Sequence, residues 1–263
     1  MSAGTGSYDL FNPAPPDKLR SFCSDRPTKS NGPCTVDAGH FQYETDILNW
    51  TYDATATTVQ NSYLFTNPTF KLGLTDKLDI EANIAPVQEV TTRDKTTGNT
   101  SRMTGVGDLY LRVKYNLIGN AGGDIAAALF PYVKIPTAPP GLGNKAVEEG
   151  LIVPVTFTLP KGFSLSLDPE ADILKNANDN RYHANYQGVA DVSHSIFSDS
   201  ITGYVELWSD VNDDPSGTVT QASFDAALAW LARPDLQLDA GANIGLNSAT
   251  PDFQAYFGIS QRF

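Results

Sequence analysis

The chain lacks any long apolar run. Its 263 residues are 41% apolar with a mean hydropathy of -0.25, and nowhere do the roughly 18 to 20 consecutive apolar residues occur that a membrane helix needs. This absence excludes a helical membrane protein. It leaves a membrane β-barrel open, because lumen-facing polar residues dilute the lipid-facing ones in such a barrel. The length allows one large all-β domain.

Basic residues are also scarce. The 18 Lys and Arg stand against 30 Asp and Glu, which gives a net charge of -12. A nucleic-acid partner needs a basic face to neutralise its phosphates, so we expect none. A secretion signal is missing too, because Met1 leads into SAGTGSYDLFNPAPPDK without a basic n-region or an apolar h-region. We expect that the signal has been removed and that Met1 is not native.

Cysteine is limited to Cys23 and Cys34. In an exported chain an even pair predicts one disulfide that closes a short loop. Two free thiols in a cytosolic protein, or half of a metal site, are the alternatives. The three histidines, His40, His183 and His194, have no ligand-like spacing to the cysteines, which argues against a metal. We expect no metal and no cofactor.

The C-terminal stretch from Phe253 to Phe263 alternates with period two. Its odd positions are mainly large and apolar, which places one set of side chains on each face of a strand. A terminal aromatic residue is typical of a bacterial outer-membrane barrel, where it lies in the girdle at the periplasmic interface. We expect Phe257, Gly258 and Phe263 to form the signal that the barrel-assembly machinery reads.

Eleven further segments of this kind lie upstream, and the clearest is GVGDLYLRVKYNL. A soluble sandwich also shows alternation, but here charges rarely fall on the apolar face. The predicted fold is an all-β, antiparallel up-and-down transmembrane β-barrel of about 12 strands over residues 39–263, preceded by an irregular periplasmic segment, 1–38, that carries the disulfide. The predicted strands are 40–52, 61–74, 78–84, 105–117, 125–136, 150–159, 163–173, 183–196, 201–210, 220–232, 236–247 and 253–263.

The predicted connections alternate in length. The short turns are Thr75–Lys77, Pro160–Gly162, Phe197–Ser200 and Arg233–Asp235, and the long polar links are 91–103, 137–148, 174–182 and 211–219. Short turns on one side and long loops on the other are the outer-membrane arrangement, with the short side periplasmic. An even strand number then places both termini in the periplasm.

The apolar face should be exposed to lipid rather than packed in a core. Soluble proteins rarely expose apolar patches beyond a few hundred Å². The residues expected in the exposed band are Leu109, Leu111, Val113, Leu129, Val133, Val155, Phe157, Leu238, Ile244 and Phe257.

Five stretches carry a resemblance to a known family: CTVDAGHFQYETDILNW, GVGDLYLRVKYNL, LFPYVKIPT, LDAGANIGLN and FQAYFGISQRF. They resemble the outer-membrane β-barrel transporters of the MetA-pathway of phenol degradation group, from about residue 26 to the end. The resemblance implies a Gram-negative outer-membrane barrel, distantly similar to porin-like uptake channels for hydrophobic and aromatic compounds. It brings no catalytic residues.

The polar face of the strands carries interleaved charges and aromatic rings. Such charges either hold a narrow barrel together or line a polar path, and such rings either stack on ring-bearing solutes or fill a small lumen. At the seam that closes the barrel we expect Arg262 to bridge Asp239 and Glu44, because its planar fork can bond two carboxylates. The residues expected to line the lumen are Glu44, Lys71, Asp79, Glu81, Asp108, Tyr110, Arg112, Lys114, Phe130, Tyr132, Lys134, Trp208, Asp225, Asp239, Tyr256 and Arg262. In the second predicted strand, Tyr63 and Phe65 are expected on the same inward face.

Three other motifs give only weak indications of a function. Gly105-Val-Gly107 precedes a strand instead of a helix, so the context of a dinucleotide loop is missing. The acidic run 210–214 lacks the Gly and Glu of an EF-hand and is interpreted as a solvated extracellular loop, with a weak surface Ca²⁺ site as the alternative. His194 lies on the apolar face without a specified Ser or Asp partner, so we favour an interfacial structural role over a lipase site.

We therefore expect a passive channel for small organic solutes, such as aromatic compounds, surrounded by outer-membrane lipid and lipopolysaccharide. Selectivity would come from the charge, the width and the aromatic lining of the lumen. One alternative is a closed structural or adhesive barrel whose lumen is filled by salt bridges and by the N-terminal segment. A lipid-modifying enzyme is the other.

Overall fold

The computed structural model describes residues 8–263, so residues 1–7, including Met1, lie outside the described part. Two short 3₁₀ turns, Pro16–Lys18 and Pro160–Gly162, accompany the strands. Within residues 8–263 no helix has the length and apolar character to span a membrane. The strands are β1 Phe41–Ala54, β2 Thr58–Phe65, β3 Thr69–Thr75, β4 Leu78–Asn83, β5 Val87–Asp94, β6 Thr100–Gly105, β7 Leu109–Ile118, β8 Ile125–Ile135, β9 Glu148–Ile152, β10 Val155–Thr158, β11 Phe163–Leu167, β12 Glu170–Lys175, β13 Tyr182–Ser195, β14 Ile201–Asn212, β15 Val219–Arg233, β16 Leu236–Gly245 and β17 Phe253–Arg262.

These segments form a closed antiparallel barrel of 12 strands. The segment number is larger because some barrel strands are interrupted once: β2 with β3, β4 with β5, β6 with β7, β9 with β10 and β11 with β12. The pairing of β1 with β17, from Gln42 opposite Arg262 to Tyr52 opposite Phe253, closes the barrel. The predicted fold class and strand number are confirmed.

Polarity is inverted relative to a soluble protein. The fully buried side chains are mostly polar or charged and include Lys114, Glu206 and Asp225. Large apolar side chains cover the outside, as a lipid-facing wall requires. Of the expected band, Leu111, Val113, Leu129, Leu238, Ile244 and Phe257 are exposed, whereas Leu109, Val133, Val155 and Phe157 are half-buried.

Aromatic rings collect at both ends of this apolar wall. At one end Phe41 lies 6.1 Å from Phe70 and 5.9 Å from Phe263, measured between ring centroids. At the other end Trp50 lies 5.9 Å from Phe253. The stretch of β17 between the two ends is about 30 Å long at 3.3 Å per residue. With the usual strand tilt this corresponds to an apolar band about 25 Å tall, the height expected for an outer-membrane barrel.

The two rims differ in their connections. We call the end with connections 76–77, 119–124, 159–162, 196–200 and 234–235 the turn rim; it also holds Phe41 and Arg262, where the wall begins and ends. The opposite end is the loop rim, with connections 55–57, 95–99, 136–147, 176–181, 213–218 and 246–252. The predicted short turns all lie on the turn rim.

The prediction of a polar loop over 91–103 is wrong. β5 and β6 form a hairpin there, paired from Gln88 opposite Gly105 to Arg93 opposite Thr100. Its many threonines favour extended backbone. Both faces are polar because the hairpin extends from the loop rim, where β6 is exposed on both faces.

The faces assigned to the second barrel strand are wrong in its outer half. Tyr63 lies opposite Trp50, and Phe65 opposite Leu48, on the lipid-facing side, whereas both were expected in the lumen. The cause is the interruption at 66–68, where Thr66 has a φ of 61° and separates β2 from β3. Such an irregularity shifts the alternation by one residue and exchanges the two faces.

Candidate functional site

Part of the N-terminal segment lies inside the barrel. We call residues 20–37 the plug and residues 25–31 its tip. The plug enters at the turn rim, where its backbone passes so close to Gly73 that a Cβ there would collide with the carbonyl oxygen of Asp37. The predicted disulfide between Cys23 and Cys34 is confirmed, with the two Cα atoms 6.5 Å apart, and it joins the two sides of the plug. The plug therefore enters the lumen as a loop.

The neck of the plug is fixed by two arginines on one carboxylate. Arg20 Nε donates to Asp37 Oδ1 at 2.7 Å, and Arg262 Nη1 donates to Asp37 Oδ2 at 2.8 Å. The prediction that Arg262 bridges Asp239 and Glu44 is therefore wrong. Arg262 does face inward at the closing seam, but the plug brings its own carboxylate to it.

The first tip contact is a carboxylate between two lysines. Asp25 accepts hydrogen bonds from Lys71 and from Lys114, the latter at 2.6 Å. Lys71 also lies 2.7 Å from Glu44, and both lysines lie 3.6 Å from Glu81. Burial alone would raise the pKa of Asp25, but the ammonium groups of Lys114 and Lys71 outweigh it and hold this pKa well below its usual range.

The second tip contact is a guanidinium between two carboxylates. Arg26 Nη1 donates to Asp46 Oδ1 and Arg26 Nη2 to Asp239 Oδ1, both at 2.6 Å. Burial would lower the pKa of Arg26, yet the two carboxylates outweigh it and raise this pKa above its ordinary value. The guanidinium fits because the wall residue beneath it is Gly258, where a Cβ would collide with Nη2.

The third tip contact reaches the opposite wall. Lys29 Nζ donates to Asp225 Oδ2 at 2.7 Å and to Ser223 Oγ at 2.6 Å, and it lies 4.6 Å from the centre of the Trp208 ring. The backbone N–H groups of Lys29 and Ser30 donate to Glu206 at 3.1 and 2.9 Å.

Next to it, Asn31 donates to Asp168 through its backbone N–H at 2.7 Å and through its side-chain amide at 2.9 Å. The tip is thus bound to β1, β3, β7, β14, β15 and β16 and to the connection between β11 and β12. Because these elements surround the lumen, the plug spans the lumen from wall to wall at this level.

On the loop-rim side of the tip, the lumen contains a cavity of about 330 Å³, which we call the vestibule. Tyr110, Tyr132 and Trp208 supply aromatic rings to its wall, and Lys134 lies 2.5 Å from Glu148. Asp172 and Asp210 are further carboxylates of the lining. The vestibule is therefore a polar chamber with aromatic walls, separated from the turn rim by the plug.

The expected lining residues divide between these two places. Tyr110, Tyr132, Lys134 and Trp208 line the vestibule, and Asp108 lies 3.7 Å from Lys134. Between the two places Arg112 lies over the rings of Tyr110 and Phe130, at 5.4 and 5.8 Å. The expected residues around the plug are Glu44, Lys71, Asp79, Glu81, Lys114, Asp225, Asp239, Tyr256 and Arg262. That they form a solute path stays a prediction.

Sequence reasoning missed the plug residues Asp25, Arg26, Lys29 and Asn31 as lumen groups. A signal was present, because carboxylates outnumber cations on the inward face and a narrow lumen needs counter-charges. The disulfide loop itself carries Arg26 and Lys29.

The remaining sequence candidates have ordinary surroundings. His194 stacks on Phe163 at 4.2 Å, and its Nδ1 lies 3.0 Å from the carbonyl oxygen of Gly162. In the loop 213–218, Ser216 and the Ala177 N–H hydrogen-bond to Asp214 and lower its pKa to about 2. Across residues 8–263 no group of three or more His, Cys, Asp or Glu side chains is arranged to hold a metal.

The inverted polarity, the two aromatic ends and the closed wall define a transmembrane β-barrel of the outer-membrane kind. A crystal structure of an outer membrane channel from Pseudomonas putida F1 shares the fold, with a TM-score of 0.67 and 13% identity over 90% of this chain and 100% of that one. The transport unit of the autotransporter AIDA-I from Escherichia coli has a TM-score of 0.55 and 11% identity, over 92% of this chain and 93% of that one. No curated protein matches the sequence.

The sequence itself identifies the family. Residues 24–263 match the family described as "Putative MetA-pathway of phenol degradation", a range that contains the whole barrel and the plug from residue 24 onward. The chain belongs to this family.

Proposed function

We propose that the protein is a bacterial outer-membrane channel for the passive passage of small organic solutes, and that the plug closes its pore. The arrangement of the rims supports an orientation with both termini in the periplasm, because outer-membrane barrels have their short turns on that side. Phe257, Gly258 and Phe263 are proposed to serve recognition by the barrel-assembly machinery, and the apolar wall to contact lipid and lipopolysaccharide.

One observation carries the channel proposal: the wall closes without the plug. β1 begins at Phe41 and pairs with β17 along its length, so residues 20–37 contribute no strand to the barrel. If the plug leaves, the charged residues around its tip line a continuous polar lumen. A polar lumen of this kind can conduct. The structure described above is then the closed state.

The solute class is proposed from two features. Tyr110, Tyr132 and Trp208 line the vestibule, and aromatic faces suit stacking on ring-bearing solutes. The description of the family refers to phenol degradation. Aromatic compounds are therefore the first solutes to test.

The plug also favours the second candidate, a closed barrel that does not conduct. Its tip is bound on opposite walls by ion pairs with Asp46, Asp239 and Asp225, and such a filling could be permanent. No catalytic role is proposed, since His194 engages Phe163 and a backbone carbonyl.

Single-channel recording in planar bilayers tests the channel proposal. The full-length triple variant Asp25→Asn, Arg26→Gln and Lys29→Gln removes the charges of the tip but keeps nearly the same side-chain shapes. We expect the wild type to be mostly closed and the triple variant to show frequent stepwise openings. Lys18→Gln is the matched control, because Lys18 lies outside the plug and, within residues 8–263, forms an ion pair only with Asp17, at an exposed site. Silence of a folded triple variant would favour the permanently closed barrel.

A further inference from the structure

The charges of the vestibule do not balance. Its lining holds one described cation, Lys134, and this ammonium is paired with Glu148 at 2.5 Å. The carboxylates of Asp172 and Asp210 in the same lining are left without a paired cation. Among residues 8–263 no Lys, Arg or His nitrogen lies within 4.0 Å of either carboxylate. The chamber thus presents a net negative charge that the described chain leaves without a counter-ion.

Asp172 shows the imbalance most clearly. It is 2% exposed, and it accepts hydrogen bonds from Tyr132 Oη at 2.8 Å, Asn185 Nδ2 at 3.0 Å and Gln187 Nε2 at 3.1 Å. All these donors are neutral, and the further group beside Asp172 is another carboxyl, that of Glu170, not a cation. A buried carboxylate without a cation is costly, so this position favours a cationic group supplied by a ligand.

Asn185 adds a second, independent feature. It lines the vestibule and is 2% exposed, and its Nδ2 donates both to Asp172 and to Asp210, the latter at 2.7 Å. Its Oδ1 accepts no hydrogen bond from any described residue. This amide orientation follows from the two carboxylates, which both require a donor. Asn185 therefore joins the two carboxylates through its Nδ2, while its buried Oδ1 lacks an N–H donor.

The same lumen already holds an ammonium group in this chemical setting. Lys29 Nζ is bound by one carboxylate and one hydroxyl and lies over the Trp208 ring. Trp208 also contributes to the vestibule wall. The plug lysine therefore shows which chemistry this wall accepts: an ammonium beside a carboxylate and an aromatic face.

We propose that the vestibule binds a primary organic ammonium ion with a compact aromatic body. Its three N–H donors meet Asp172, Asp210 and the free oxygen of Asn185, while its ring contacts the aromatic wall. The volume of about 330 Å³ lies at the lower end of ligand cavities, which suits a single ring. This inference rests on the proposed function in one respect, namely that the bound cation is a solute of the channel.

Isothermal titration calorimetry on the full-length protein in detergent tests the site. The probe is the phenethylammonium ion, and 2-phenylethanol is its neutral counterpart of nearly equal shape. We expect the ammonium to bind at least about tenfold more tightly than the alcohol, because a hydrogen bond to a charged partner outweighs a neutral one. Equal affinity of the two probes, or no binding of either, would overturn the proposal.

Isosteric variants locate the site. Asp172→Asn and, separately, Asp210→Asn should each weaken phenethylammonium binding about 10- to 100-fold and leave 2-phenylethanol binding unchanged. Asp199→Asn, at a short turn of the other rim, is the matched control. Two variants guard against a folding failure of one, and heat-modifiable migration on gels reports folding. Ammonium binding that survives both substitutions in folded protein would refute the assignment.

The outcome is separable from the channel test. Specific binding together with a silent triple variant would retain the site and reject conduction. Openings of the triple variant without ammonium binding would support conduction and reject the proposed site.

Discussion

The plug level and the vestibule both contain buried carboxylates, but the partners of these carboxylates differ between the two levels. Around the tip, Asp46 and Asp239 share the guanidinium of Arg26, and Asp225 holds Lys29. One level closer to the loop rim, Asp172 and Asp210 have neutral hydrogen-bond donors only. The difference teaches that the plug supplies cations to some of the wall carboxylates. Glu206 and Asp168 beside the tip receive only neutral N–H donors, and no cation of plug residues 20–37 lies within 4.0 Å of Asp172 or Asp210.

The largest expected effect comes from removing the shared cation. Arg26→Gln leaves Asp46 and Asp239 facing each other at the closing seam, which should cost about 3 to 5 kcal/mol, as when one partner of a buried ion pair is removed. The midpoint of urea unfolding in lipid vesicles measures this loss, with Lys18→Gln as the control. A variant as stable as the wild type and equally closed would contradict the role given to Arg26.

A steric change should act on the same contact with a smaller effect. Gly258→Ala places a methyl group against both the Arg26 guanidinium and the carbonyl oxygen of Thr45 in β1, and such overpacking costs about 1 to 3 kcal/mol. Gly188→Ala is the matched control, because a Cβ there meets nothing within 4 Å. Equal unfolding midpoints of the two variants would show that the plug and β1 both adjust freely at this point.

A substitution in the vestibule should have the opposite effect on the stability of the barrel. Asp172→Asn removes a buried charge that has no counter-ion, so without ligand we expect unchanged stability or a gain of about 1 kcal/mol. The same urea unfolding assay measures it. Destabilisation as large as that of Arg26→Gln would show that Asp172 has a counter-charge after all, and the contrast between the two levels would be lost.

The smallest expected effect is a pH dependence. The pKa of Asp25 is held well below its usual range, so its contribution to stability is present above its unfolded pKa of about 3.9 and is lost as the pH falls through the lower folded value. The stability difference between wild type and Asp25→Asn should therefore be equal at pH 7 and pH 5 and shrink only below about pH 4. A difference that already declines between pH 7 and pH 5 would contradict the contact with Lys71 and Lys114.

The barrel was predictable because its signals are local. Alternation in stretches such as Leu109–Leu117 sets which residues face lipid, and the structure has the same faces in β7. The wrong predictions also have physical causes. The shift at Thr66 depends on one backbone conformation that alternation cannot reveal, and the hairpin at 91–103 looks like a loop because both its faces are polar.

The candidate site was predictable only in part. Inward residues such as Lys71, Lys114 and Tyr132 follow from strand parity. Their partners do not, because Asp25 and Arg26 lie in an irregular segment that periodicity cannot place. The wrong expectation for Arg262 has the same cause, because its partner Asp37 belongs to the plug and not to a strand of the wall.

The tether of the plug has a consequence for its kinetics. Residues 38–40 alone separate Asp37 from the first strand, and the N–H of Ala14 donates to the carbonyl of Ala38 at 3.0 Å beside them. A released plug therefore stays within reach of its own lumen, at an effective concentration in the millimolar range for so short a link. Its return is a unimolecular event whose rate does not depend on how many barrels share the membrane. A free peptide of the same sequence would have to approach millimolar concentration before it could replace the plug.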